Sequence, residues 1–217
     1  MRTIIDTAVA AVALPPAWFT VAEAAWAVRT PMHFINTEID KKIITAKIGG
    51  AHVRLLDRSA LSYLRAIREF RNWIAVELRV RIYQEVHKAL KKKQTGPIQF
   101  DTFVLRLDKV LTEIDERIRD IIEVRSSVAY DPCIKGGGPV AKGTRIPVHV
   151  LGEIVRSGVA PKDIARAYHL SLHHVELVLL YDKLHLRRGR PSRVSATSLD
   201  DMRETVKTES HDVPVCG

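Results

Sequence analysis

Four arginines stand within seven residues at Arg187, Arg188, Arg190 and Arg193. A guanidinium is a permanently charged planar fork that grips a carboxylate or phosphate with two parallel hydrogen bonds, so this run is built to hold an anion. Gly189 gives it reach and Pro191 keeps it extended. Other groups invite chemistry and fall short of it. GGGPVAKGT is glycine-rich with a lysine, but the order is Lys-Gly-Thr, whereas a phosphate loop needs Gly-Lys-Ser/Thr opening a helix. His169 and His173 form one plausible ligand pair, yet no cysteine or carboxylate completes a metal set around them, His174 and His185. Cys133 and Cys216 match no metal-ligand spacing and read as free thiols. No Ser/His/Asp or paired-carboxylate arrangement lies in a recognisable loop. The sequence therefore offers no catalytic residue, no metal site and no cofactor site, and the protein is not expected to be an enzyme.

The arginine run closes a stretch with its own architecture. From Asp131, glycines and prolines at Gly136, Gly137, Gly138, Pro139, Gly143 and Pro147 dictate turns or a tight hairpin. Val148, Leu151, Ile154 and Val155 then share a helical face that Gly158 ends. Pro161 opens a short helix with Ile164, Ala165 and Tyr168. Ser171 caps a longer one carrying Leu172, Val175, Val178, Leu179 and Leu184. Helix, short helix, turn and longer helix is the layout of a helix-turn-helix-like three-helix bundle.

Nearer the start, Thr20-Val21-Ala22-Glu23 is a capping box for a helix along Val21, Ala24, Ala25 and Val28. Thr30 followed by Pro31 reads as the cap of a second helix over His33–Ile39. Ile43 to Ile48, Gly49-Gly50 and His52 to Leu56 read as strand, two-glycine turn and strand. Asp57 or Ser59 caps the next helix. Residues 58–93 contain no proline or glycine. Leu61, Leu64, Ile67, Phe70, Ile74, Leu78, Ile82, Val86 and Leu90 make one stripe, which predicts a long basic helix. That stripe serves either a dimer seam or packing on its own chain. Gly96-Pro97 stops the helix, Ile98 to Leu107 predict two short strands or one bulged strand, and Val110 to Ile122 a connector helix.

The chain of 217 residues carries a net charge of +9 with 46% apolar residues, enough to bury a core and basic enough to favour an acidic partner such as nucleic acid. Charge is segregated: residues 58–97 are net +7 and 130–193 net +6, while 98–129 are net −2 and 194–217 net −3. The blocks suggest two contact surfaces. Asp6 interrupts the apolar start, and no run reaches the ~18 apolar residues that span a bilayer. A cytoplasmic protein without membrane contact is expected.

The fold class is thus mostly α with small β elements. Residues 1–57 are expected to form a winged helix-turn-helix domain, and 58–128 a long basic helix, short strands and a connector helix. The C-terminal helical domain covers 129–193, with an acidic tail at 194–217. FTVAEAAWAV and KIGGAHVRLLDRSALSYL resemble the excisionase or MerR-like DNA-binding domain across residues 18–66. The resemblance implies that the second helix enters the major groove, with His33, Asn36 and Thr37 toward base edges. Lys41, Lys42, Lys47, His52 and Arg54 would meet phosphates. The chain departs from that family in having no arginine on the reading helix, and in placing Glu38 near its end.

Asp131-Pro132, Gly137-Gly138-Pro139, Gly143-Thr144-Arg145-Ile146-Pro147-Val148 and Arg188-Gly189-Arg190-Pro191 resemble the domain of unknown function four-three-three. A winged domain joined to this module is similar to VapB-type antitoxins of type II toxin–antitoxin pairs. That resemblance implies a PIN-domain ribonuclease toxin and operator DNA as partners, and a homodimer on two half-sites. One of Arg187, Arg188, Arg190 and Arg193 would then enter the toxin's carboxylate cluster. A stand-alone transcriptional regulator without a toxin is the alternative.

Overall fold

The computed structural model of the chain describes residues 18–130 and 137–185. Helices dominate and the strands are short, as expected. The described residues divide into two compact units, one running to Ile122 and the other starting at Glu123. Among them, no helix is long and apolar enough to cross a membrane.

The first unit opens with β1 (Phe19–Thr20) and α1 (Val21–Val28). The capping box forms as its residues dictate: the Glu23 amide donates to Thr20 Oγ1 at 3.2 Å, and the Thr20 amide to Glu23 Oε2 at 2.8 Å. The second helix is α2 (Met32–Asp40), with Pro31 at the cap in place of Thr30. Thr30 is buried and its hydroxyl donates to the Val28 carbonyl, so it closes α1 and does not cap α2.

After α2 the chain corrects a second expectation. Lys42 takes a left-handed conformation, and the Ile43 and Ile44 amides both turn back to the Glu38 carbonyl. Ile43 and Ile44 thus plug the core in place of starting a strand. The strand proper is only β2 (Lys47–Ile48), paired with β3 (Arg54–Leu56), and a 3₁₀ turn at Gly50–His52 replaces the two-residue glycine turn. β1 pairs with the other edge of β3, placing Phe19 opposite Leu56.

The long helix expected over residues 58–93 is broken. Asp57 caps α3 (Arg58–Ile67) by accepting from the Ala60 amide at 2.9 Å. A 3₁₀ turn at Arg71–Trp73 follows, and α4 (Val76–Lys91) packs back against α3. No proline or glycine causes the break; tertiary packing overrides the helical periodicity. Folding the stripe in two buries Leu61, Leu64, Ile67, Ile82 and Val86 in the unit's own core. The stripe thus packs on its own chain, with Phe70, Ile74, Leu78 and Leu90 partly buried against the same core.

Of the two expected forms, two short strands are found: β4 (Ile98–Gln99) and β5 (Val104–Leu105) pair antiparallel, and α5 (Leu107–Ser126) returns to helix. Leu107, Leu111, Ile114 and Ile121 of α5 join the same core as Phe19, Ile35 and Leu56. The acidic face of α5 meets the basic block. Arg58 grips Asp115 at 2.7 and 2.5 Å, and Arg65 reaches Glu113 at 2.6 Å. Arg81 pairs with Asp101 at 3.2 Å. Much of the +7 block is thus neutralised inside the unit.

The second unit contains β6 (Val128–Tyr130) and β7 (Pro139–Ala141), an antiparallel pair with Ala129 opposite Val140. α6 (Val148–Arg156), α7 (Pro161–Ala167) and α8 (Leu172–Leu184) follow, with α8 packed on both others. Pro161 stands at the first turn of α7, and Ser171 Oγ accepts from the His174 amide at 3.1 Å. Gly158, at φ +104, lets the chain leave α6. Leu151, Ile154, Ile164, Val175, Val178 and Leu184 are buried as the spacing predicts, whereas Leu172 is exposed. Gly152 sets how closely α6 and α8 approach: a Cβ there would overlap the Asp182 carboxylate. Arg156 binds that same carboxylate at 2.9 Å.

Candidate nucleic-acid interface

The position of α2 is set by a buried charge. Ile35 and Glu38, three residues apart and so on one helix face, are both fully buried. Glu38 Oε1 accepts from Arg71 Nε at 2.7 Å and from Arg79 Nη1 at 2.5 Å, while Oε2 accepts from the Tyr63 hydroxyl at 2.8 Å. Arg71 also lies over the Phe34 ring at 3.9 Å. A carboxylate withdrawn from water is tolerated only when its lone pairs are filled and its charge is matched, and here both conditions hold. Burial, followed by the Glu38 charge, pushes the Tyr63 hydroxyl far above its ordinary range, so it remains a donor. The acidic residue that looked out of place on a reading helix is thus the anchor of that helix.

With Ile35 and Glu38 turned inward, α2 directs other side chains outward. His33 is exposed, and Asn36 and Thr37 are half-buried. The Thr37 hydroxyl donates to the His33 carbonyl at 2.8 Å, so its proton is used within the helix. Arg54 Nη1 donates to Asn36 Oδ1 at 3.0 Å and Nη2 meets Asp40 at 2.8 Å. These contacts tie β3 to α2. Arg54, expected at phosphate, is therefore engaged with α2, and Asn36 is held in one orientation. Arginine only donates, so the atom facing it must be the amide oxygen, which leaves Asn36 Nδ2 for an outside partner.

Lys41, Lys42, Lys47 and His52 are exposed. Lys47 Nζ sits 5.3 Å from the centre of the Trp18 ring, a cation–π contact that holds the side chain beside the strand pair. Ile48 and Val53 are exposed on the same strand-and-turn segment. The structure thus joins Asn36, Arg54 and Asp40 in one contact and pairs Thr37 with His33. Lys47 and His52 lie on one hairpin.

In the second unit, the Gly143–Pro147 turn explains most of its own residues. Gly143 adopts φ +77, and Thr144 Oγ1 donates to the Ala141 carbonyl at 2.8 Å and accepts from the Ile146 amide at 3.1 Å. Ile146 and Pro147 are buried, and Pro147 caps α6. Arg145 is exposed, and its side chain has no partner among the described residues. Sequence reading passed over it; its signal was being the one charge in a turn otherwise spent on geometry. Arg187, Arg188, Arg190 and Arg193 lie outside the described residues, as do Cys133 and Cys216. Among the histidines, His173 Nε2 meets Glu123 at 2.7 Å and His185 stacks on Tyr181 at 4.1 Å. No group of three or more His, Cys, Asp or Glu among the described residues is arranged to hold a metal ion.

Comparison with known proteins bears on the second unit above all. Residues 128–181 match the family described as Protein of unknown function (DUF433). The chain is 24% identical over 184 residues to the uncharacterized protein y4eO of Sinorhizobium fredii (strain NBRC 101917 / NGR234), covering 78% of this chain and 82% of that protein. It is also similar to the crystal structure of Rv2018 from Mycobacterium tuberculosis, at 16% identity and a TM-score of 0.33, over 74% of this chain and 96% of that one.

Proposed function

We propose that the protein is an antitoxin-type regulator that binds operator DNA through its first unit and a PIN-domain ribonuclease toxin through its second. The observation that carries the DNA half is the anchoring of α2 by Ile35 and Glu38, which turns His33 and Asn36 outward beside Lys41 and Lys42. Lys47 and His52 on the β2–β3 segment extend that cationic surface. In this proposal α2 reads base edges and the strand pair serves as a wing on the phosphates. Because Arg54 occupies Asn36 Oδ1, Asn36 acts as a donor. It therefore favours the N7 and O6 acceptors of guanine over the mixed donor–acceptor edge of adenine. Two copies would sit on two half-sites.

The toxin half rests on the family match over residues 128–181 and on the arginine run that follows it. Guanidiniums placed among the carboxylates of a PIN-domain site would compete with magnesium and RNA phosphate.

Anisotropy titration with DNA from upstream of its own reading frame tests the first half. Affinity should fall steeply with salt, and each of Lys41→Ala, Lys42→Ala and Lys47→Ala should lower the salt slope by about one. A flat salt dependence would contradict DNA binding by this face. Co-expression with a neighbouring PIN-domain protein tests the second half. Co-purification, with ribonuclease inhibition lost in the Arg187/Arg188/Arg190/Arg193→Ala variant, is expected. Inhibition that survives this variant and fails with Arg145→Ala would move the contact to the turn. Separate purification would leave a stand-alone regulator.

A further inference from the structure

A cleft of about 650 Å³ opens in the first unit between the end of α1, α3 and α5. Five arginines line it: Arg29, Arg65, Arg68, Arg117 and Arg119. Three are committed to acids: Arg65 to Glu113 at 2.6 Å, Arg68 to Glu69 at 3.0 Å and Arg117 to Asp120 at 3.3 Å. Arg117 is further held 5.1 Å from the centre of the Trp26 ring. The side chains of Arg29 and Arg119 are exposed and make no ion pair or hydrogen bond among the described residues. The favourable field at a helix C-terminus accounts for a cation at Arg29. It does not account for Arg119, which lies within α5. Arg29 is also fixed at its root, since its backbone is left-handed at φ 52 and its amide donates to carbonyls of α1.

We propose that this cleft binds a small ligand carrying two or more phosphates together with a hydrogen-bond donor, of the nucleoside di- or triphosphate class. Two uncommitted guanidiniums, one just past the end of α1 and one on α5, suit separate phosphoryl groups, each gripped by a planar fork. The lining is charged, and the cleft has the size of a small-molecule site. Glu116 also lines it, with its carboxylate unpartnered among the described residues, and can accept from a sugar hydroxyl or an amino group. The proposal is independent of DNA binding by α2.

Isothermal titration of the full chain with ATP, inorganic tripolyphosphate and adenosine tests it. Saturable binding of ATP and tripolyphosphate is expected, with none for adenosine. The R29G/R119A variant should weaken both by at least about tenfold. Glycine suits the left-handed position, so that variant should keep the melting temperature. K41A/K42A should bind both ligands as the parent does. E116Q should weaken ATP and leave tripolyphosphate at least as tight. The absence of saturable binding up to millimolar ligand overturns the proposal, as does binding that R29G/R119A leaves intact. Duplex DNA binding weakened by R29G/R119A, with no tripolyphosphate binding, would also overturn it in favour of a backbone contact.

Discussion

The two units of this chain solve the problem of a stable interior differently. The first encloses Glu38 with Arg71, Arg79 and Tyr63, and buries Glu23, Thr30, Ser59 and Ser62 as well. In the second, Ser127 is the one buried polar side chain among the described residues, and Leu151, Ile154, Ile164, Val175 and Val178 fill the centre. An apolar interior tolerates many arrangements of about the right volume. A buried carboxylate with two guanidiniums accepts only the arrangement that fills its lone pairs. The first unit therefore fixes the orientation of α2 by charge, and the second fixes α6 against α8 by shape.

The sharpest way to break this comparison is Glu38→Gln. It keeps the shape and leaves two guanidiniums without their counter-charge, at an expected cost of about 3–5 kcal/mol. Hydrogen exchange read by mass spectrometry should show α2, α3 and α4 losing protection while α6 and α8 keep theirs. Equal loss in both would show that the two interiors are not separate in stability. Gly152→Ala should give the mirror image. The added methyl displaces Asp182 and its bond to Arg156, costing about 1–3 kcal/mol, with protection lost in α6 and α8 alone. Helix caps should not distinguish the units. Thr20→Ala and Ser171→Ala each remove a side-chain acceptor and should each cost about 1 kcal/mol in thermal denaturation.

The smallest effect concerns pH. Burial first, and then the charges of His173 and Lys142, hold the His174 imidazole below its ordinary value of 6.5. The unfolded chain takes up this proton before the folded one does. The neutral imidazole's contribution is therefore present above about pH 6.5 and lost as pH falls below it. Urea midpoints followed on the second unit should decline with acid over that window, and His174→Gln should flatten the decline. An unchanged slope would remove His174 as its source.

Features governed by neighbours in sequence were legible. The Thr20–Glu23 box, the Asp57 cap, Pro161 and Ser171 each act within three or four residues, so local chemistry decides them. The apolar stripes were legible too, because helical periodicity already marks a buried face. Glu38 was not. A carboxylate on a helix ordinarily faces water, and its partners Arg71 and Arg79 come from beyond β2, β3 and α3. One local clue existed, since Glu38 shares a helix face with Ile35. The break between α3 and α4 was hidden for the same reason: no residue there forbids helix, and only packing of the two halves decides it. Of the candidate interface, the outward lysines were readable from charge alone. The engagement of Arg54 by Asn36 and Asp40 required the strand register.

The three tryptophans of the chain, Trp18, Trp26 and Trp73, all fall within the first unit. Trp18 lies beneath Lys47 on the strand pair, Trp26 lies beneath Arg117 at the arginine cleft, and Trp73 is 87% exposed on the turn before α4. Nature has in effect labelled this unit at three separate addresses and left the other optically silent at tryptophan wavelengths. In Trp73→Phe/Trp18→Phe, Trp26 alone reports a ligand entering the cleft, and in Trp73→Phe/Trp26→Phe, Trp18 alone reports one approaching the strand pair. Intrinsic emission can therefore tell the two events apart without any dye.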